Sequence, residues 1–161
     1  MGIPITTIGM KVSWCEETSA GTRPTTGYKV IHNLKEFPDT DVAPQTADAT
    51  TFDQTKNTIS VTLLQDLSGS MDITANLNTE LFTEWEEMCD AYDTGKATGK
   101  KMWLALDLPD FEKSAFLPIE PSHITGFTGM NANSLAEQKL HFTVIGDKVM
   151  EADPTYAEET V

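Results

Sequence analysis

The sharpest polar motif in the chain is Asp66-Leu67-Ser68-Gly69-Ser70-Met71, which follows the apolar run Ile59 to Leu64. Asp66, Ser68 and Ser70 at alternate positions after a strand could offer three hard oxygen ligands to Mg²⁺. The same residues are also ordinary turn chemistry, because Asp, Ser and Gly are what a tight connection between two strands selects. Asp39, Asp41, Asp48 and Asp53 share one stretch but miss the calcium-loop spacing of alternate ligands with Gly at the sixth position. They read as a solvated or interfacial charge run. His32, His123 and His141 stand far apart in strand-like segments, without His-x-His or His-Glu-x-x-His spacing for zinc, so structural roles are expected. In Glu84-Trp85-Glu86-Glu87, Glu84 and Glu87 flank an apolar stripe at i and i+3, which marks the wet boundary of a helix more than an acid/base pair. No Gly-x-x-x-x-Gly-Lys-Ser/Thr, no Gly-x-Ser-x-Gly and no Cys paired to a nearby His motif supports phosphoryl transfer or nucleophilic catalysis. No catalytic residue, metal or cofactor is therefore assigned, and an enzyme is not expected. Cys15 and Cys89 are too few for a disulfide framework and read as two separate reduced thiols.

The elements that carry these residues follow from periodicity. Met10, Val12 and Trp14 alternate with Lys11, Ser13 and Cys15, a first strand ending near Glu16-Glu17. Residues 17–26 form a loop, and Tyr28 to Phe37 reads as a second strand. Pro38 to Asn57 shows no apolar periodicity and is expected to be a long loop, which a compact domain rarely keeps without a use. Thr58 to Asp66 reads as a third strand. A turn around Gly69 then leads to the alternation Met71, Ile73, Ala75, Leu77, so these two are expected to form a hairpin. Leu81, Phe82, Trp85, Met88, Cys89 and Tyr92 switch to helical spacing, predicting one amphipathic helix over about 79–92 with Asn78 as N-cap and Gly95 at its close. Residues 100–108, 115–119, 123–130 and 135–149 follow as four more strands. Four strands, a helix and four strands speak against a parallel α/β sheet and favour a mainly β fold, an antiparallel β-sandwich or barrel with one flanking helix. A single domain over 1–150 is expected, with 151–161 an acidic C-terminal arm.

Length and charge narrow the partners. At 161 residues and 39% hydrophobic content the chain can fill one core. Eleven basic against 25 acidic residues leave a net charge of −14, which opposes sequence-independent phosphate binding. No apolar run reaches the roughly 18 residues of a membrane helix, and residues 1–6 lack the regions of a signal peptide, so no membrane partner is expected.

Two family resemblances bear on function. The Asp66 motif resembles the metal-ion-dependent adhesion site of von Willebrand factor A domains, which would imply a Mg²⁺-dependent adhesion module. That fold needs a helix directly after the motif, where Met71 to Leu77 instead alternates with period two. The order of segments along nearly the whole chain resembles the tail tube (major tail) proteins of the long, non-contractile-tailed bacteriophages. The matching features are Trp14 in the first strand, Tyr28 in the second and Thr50-Thr51-Phe52-Asp53 in the long loop. They continue with the strand-turn-strand Thr58 to Asn78 around Gly69, the aromatic helix Leu81 to Tyr92, and Met102-Trp103-Leu104. The last are Ile124-Thr125-Gly126-Phe127-Thr128-Gly129 and Phe142-Thr143-Val144-Ile145-Gly146.

That resemblance implies a virion protein, made in the bacterial host, that self-assembles into hexameric rings stacked into a DNA-conducting tube, meeting tape-measure, tail-tip and tail-terminator proteins. It also implies that the long loop, with Asp39, Asp41, Thr50, Thr51, Phe52 and Asp53, touches a neighbouring ring or subunit, and that residues 1–6 and the acidic tail order on assembly. DNA would pass without specific binding: six copies at −14 carry about −84 per ring, repelling phosphate within a Debye length of about 8 Å. A tube protein of a related secretion or injection machine fits the same signatures.

Overall fold

The computed structural model of the chain describes residues 2–41, 43–64 and 69–157. Its elements in chain order are β1 (Lys11–Glu16), β2 (Thr26–Ile31), β3 (Leu34–Glu36), β4 (Thr46–Asp48), β5 (Ser60–Thr62), β6 (Gly69–Asn76), α1 (Thr79–Lys96), β7 (Met102–Asp107), β8 (Lys113–Pro121), β9 (Glu137–Val144), β10 (Val149–Ala152) and β11 (Thr155–Tyr156). The protein is mainly β, as the periodicity predicts, and the principal sheet is a curled, open half-barrel. Its strand order is β11-β2-β1-β7-β8-β9-β6-β3, with β10 also paired to β8; β4 and β5 form a second, two-stranded sheet. All pairings are antiparallel except β11 on β2. The curl has a visible corner: β9 pairs with β6 along its whole length but with β8 only through Phe142, Thr143 and Val144.

Alternation decides which side of each strand is filled. Val12 and Trp14 on β1, Met102 and Leu104 on β7, Leu117 and Ile119 on β8, and Ile73 and Ala75 on β6 all enter one core. The helix closes that core with Leu81, Trp85, Met88, Cys89 and Tyr92. Phe82 belongs to the sequence stripe but is 44% exposed, a correction with a simple cause. One step round the helix from Leu81 is about 100°, so Phe82 turns away from the sheet that Leu81 faces. The helix starts where its cap predicts, with Asn78 Oδ1 accepting from the Leu81 amide at 2.9 Å. It runs on to Lys96, past the expected end, and Gly99 at φ 76° turns the chain out of it instead of Gly95.

The opposite face of the β2-β1-β7-β8 strands is also covered. Tyr28, Ala105 and Phe116 form a second small core there, against which Cys15, Trp103, Val149 and Tyr156 pack. The expected acidic arm is part of this cover through Ala157: Tyr156 Oη donates to Asp107 at 2.7 Å and the Ala157 amide donates to the Tyr28 carbonyl at 2.8 Å. Its acids do not keep it in solvent because its aromatic and backbone groups find partners on β2 and β7.

Four other expectations change. The span 28–37 breaks into β2 and β3 at Asn33, which sits at φ 68°. Residues 123–130 run as an irregular segment beside β9, held by the Lys139 amide donating to Thr128 Oγ1 at 2.8 Å. The expected hairpin of β5 with β6 does not form: β5 pairs with β4 and β6 with β9 and β3. The long loop 38–57 consequently holds a strand of its own, β4. Among the described residues the order becomes six strands, a helix and five strands.

Candidate assembly interface

The β4–β5 ribbon is a sheet of its own, since among the described residues no strand of the principal sheet pairs with it. Its register sets Ala47 opposite Val61, and three further backbone bonds, from the amides of Leu63, Gln45 and Ala49 to the carbonyls of Gln45, Leu64 and Ile59, extend the ladder. Period two then places Ile59, Val61 and Leu63 on one face with Ala47 and leaves Ser60 and Thr62 on the other. That apolar face is uncovered: Ile59, Val61 and Leu63 are 41%, 47% and 47% exposed. A two-stranded hairpin alone is at best marginally stable in water, so an amphipathic one left open calls for a covering surface.

The tip of the ribbon is built by the Thr50-Thr51-Phe52-Asp53 signature. Asp48 Oδ1 accepts from the Thr50 amide at 2.9 Å, and the Thr50 hydroxyl and amide hold the Asp48 carboxyl below its usual range. Thr50 Oγ1 accepts from the Ile59 amide at 2.8 Å, and Gln54 Oε1 accepts from both the amide and the hydroxyl of Thr51. These bonds order a turn whose apex, Phe52, is fully exposed with exposed Asp53 beside it. A large apolar ring held out on an ordered tip has the form of an anchor for a pocket elsewhere.

Asp39 and Asp41 are exposed on the segment between β3 and the ribbon, with Asp41 4.0 Å from Lys148 Nζ. Asp66 and Ser68 lie outside the described residues. Ser70 is placed in β6 opposite Thr143 and is followed by strand, so the helix that an adhesion-site motif requires is replaced by a period-two element. With an antiparallel principal sheet, the fold that reading needs is contradicted.

Two sheet edges and one groove complete the surface. β3 covers only Thr74 and Ala75 of β6, leaving the stretch 69–73 without a strand on that side among the described residues. At the other end β11 covers Thr26 and Tyr28 of β2 and leaves 29–31 without a strand on that side among the described residues. Such edges are templates for a strand from another chain. Between β1, β2 and β3 lies a groove of about 880 Å³, lined in part by Met10, Val12, Ile31, Leu34, Phe37 and Leu106. Ile3 and Ile8, on the segment leading to it, are exposed.

The helix is tied to the rim of the half-barrel by carboxylates. Glu84 accepts from both the amide and Nδ1 of His32, each at 2.7 Å. Glu86 accepts from the Ile124 amide at 2.8 Å and lies 2.6 Å from His123 Nδ1, while Asp93 lies 2.6 Å from His123 Nε2. Hydrogen bonds to Asp93 first and Glu86 second raise His123 to about 9. His141 pairs with Asp72, its register partner on β6. Helical spacing made Glu84 and Glu87 readable as a boundary but did not single out Glu86, and no spacing could reveal the histidine partners of Glu84 and Glu86, which lie 52 and 37 residues away.

Glu17, whose position looked like the start of a loop, is another residue that the sequence understated. It is almost fully buried, with Oε1 accepting from the amides of Lys101 and Gly21 and Oε2 from Trp103 Nε1. It fastens the β1–β2 connection to β7.

The fold recurs in chains of a prophage baseplate and of a contractile injection system. A chain in the six-fold symmetrised cryo-EM structure of the anti-feeding prophage baseplate is similar over 94% of this chain and 98% of its own length, with a TM-score of 0.61 at 9% identity. A chain of the extracellular contractile injection system PVC, in its sheath-tube complex in the extended state, is similar over 92% of both chains, with a TM-score of 0.54 at 15% identity. At these identities the likeness is one of fold. No protein-family model and no curated protein matches the sequence.

Proposed function

We propose that this protein is a structural subunit of a phage-tail-type injection particle, and that its copies join into rings stacked as a tube. The observation that carries the reading is the β4–β5 ribbon, with Phe52 at its apex and an uncovered face of Ile59, Val61 and Leu63. A monomer gains nothing from holding that surface in water; an assembly gains the burial of each side chain, worth about 1.5–3 kcal/mol when complete. The open edges of β6 and β2 at opposite ends of one curled sheet offer the second requirement, a self-complementary contact that can propagate from copy to copy.

In this reading the half-barrel edges join neighbours within a ring and the ribbon reaches a neighbouring subunit or ring. Six copies, tape-measure and terminator partners, and a cargo of DNA belong to the same proposal and come from the resemblance to tail tube proteins. The similarity of fold to chains of a prophage baseplate and a contractile injection system supports the broader class of injection machines. A wall at −14 per subunit suits DNA passage, because like charge keeps phosphate from sticking.

Negative-stain electron microscopy of the concentrated protein tests the reading. Rings or hollow tubes are expected with and without added Mg²⁺. Monodisperse single subunits at every concentration, unchanged on seeding with preformed tail particles, would overturn it.

A further inference from the structure

We propose that His123, Glu86 and Asp90 form a binding site for a divalent transition-metal ion of the Zn²⁺ type, on the solvent side of the helix α1. Glu86 and Asp90 are four residues apart and so share one helix face, and His123 reaches them from the segment that follows β8. One ligand atom from each of the three lies within 4.8 Å of the others. Around a tetrahedral ion with bonds of about 2.0–2.2 Å the ligand atoms stand roughly 3.3–3.6 Å apart, so side-chain adjustment alone closes the site. The donor set is one imidazole nitrogen and two carboxylate oxygens with solvent for the remaining position, which suits Zn²⁺ or Co²⁺ better than the all-oxygen shells of Mg²⁺ and Ca²⁺.

Groups around the three ligands hold them in place. Asp93 Oδ2 lies 2.6 Å from His123 Nε2, leaving Nδ1 as the ligating atom; this is the carboxylate–histidine arrangement that orients ligand imidazoles at metal centres. Glu86 gives one oxygen to the Ile124 amide at 2.8 Å and turns the other towards His123 Nδ1 at 2.6 Å. Trp85 Nε1 donates to the Ser122 carbonyl at 2.8 Å, which holds the backbone next to His123. On binding, the ion takes the place of the Nδ1 proton, which leaves to water, and Nε2–H continues to donate to Asp93. His32, Glu80 and Glu84 make a second cluster of similar spread, in which Glu84 meets a backbone amide and a histidine Nδ1 as Glu86 does; the Asp93 carboxylate at His123 Nε2 is the ground for choosing the His123 cluster.

Isothermal titration of the full chain with ZnCl₂, and visible absorption with CoCl₂, tests the site independently of assembly. One equivalent of Zn²⁺ is expected, with Co²⁺ giving visible ligand-field bands. His123→Gln and Asp90→Asn should each weaken binding more than about tenfold, and Asp93→Asn by about 10–100-fold, while His32→Gln leaves it unchanged. Asp90 is exposed, so Asp90→Asn tests ligation with the fold intact, checked by an unchanged Tm. Absence of both signals, affinity unaltered in His123→Gln and Asp90→Asn, or loss only in His32→Gln would overturn the proposal.

Discussion

β5 and β6 carry the same alternating pattern and end in opposite environments. On β6, Ile73 and Ala75 are completely buried in the core that the helix closes; around β5, Ile59, Val61 and Leu63 are more than two-fifths exposed. The alternation declares in both cases that one face of the strand is apolar. What covers that face depends on which strands lie alongside, and β5 has only the three residues of β4. A core strand and an interface strand are therefore alike in sequence and differ in their neighbours.

Substitutions in the two regions should separate stability from assembly. Trp85→Ala, at the buried centre of the helix face, should cost about 3–5 kcal/mol in urea unfolding. A loss below about 1 kcal/mol would mean that the cavity collapses around the deletion and that the core is less rigidly filled than the β6 side suggests. Glu17→Ala comes next, at about 2–4 kcal/mol by the same measurement, because three donors lose a charged acceptor in a buried setting. Glu17→Gln should recover part of that loss, since one oxygen remains to accept.

On the ribbon the order of effects inverts. Val61→Asp should change monomer stability by less than about 0.5 kcal/mol and abolish rings or tubes in electron micrographs. Deletion of Ala47 to Asp53 should likewise leave a folded monomer with an unaltered circular dichroism spectrum and no tubes. Tubes of normal length from either variant would detach the ribbon from assembly and blur the contrast with β6. The smallest expected effect concerns the thiols: burial pushes Cys89 up to about 12, so a thiol reagent at pH 8 should label the partly exposed Cys15 first and Cys89 only on unfolding.

Much of the half-barrel was legible in the sequence because its signals are local. Val12 and Trp14 alternate within one strand, Asn78 caps the helix that begins beside it, and the stripe from Leu81 to Tyr92 is one helical face. The misreadings have local causes too. Phe82 adjoins Leu81 in sequence but lies a third of a turn away, and the acids of 151–161 masked Tyr156, whose hydroxyl finds Asp107 across 49 residues. The Gly69 turn suggested β5 with β6, yet pairing partners are chosen over long range, and β9 offered β6 eight register positions where β4 gave β5 three. Of the candidate interface, the Thr50-Thr51-Phe52-Asp53 tip was readable as a signature, whereas the apolar face behind it passed for an ordinary buried strand.

By itself the sequence determined a mainly β chain, one capped amphipathic helix and a strongly negative net charge, since each depends on residues within a few positions of one another or on composition. Only the tertiary structure decided that Ile59, Val61 and Leu63 face water, that parts of β6 and β2 have no strand beside them among the described residues, and that His123 meets Glu86, Asp90 and Asp93. Those outcomes depend on which distant segments come to lie side by side, a choice made by the packing of the whole chain and not by any period within it.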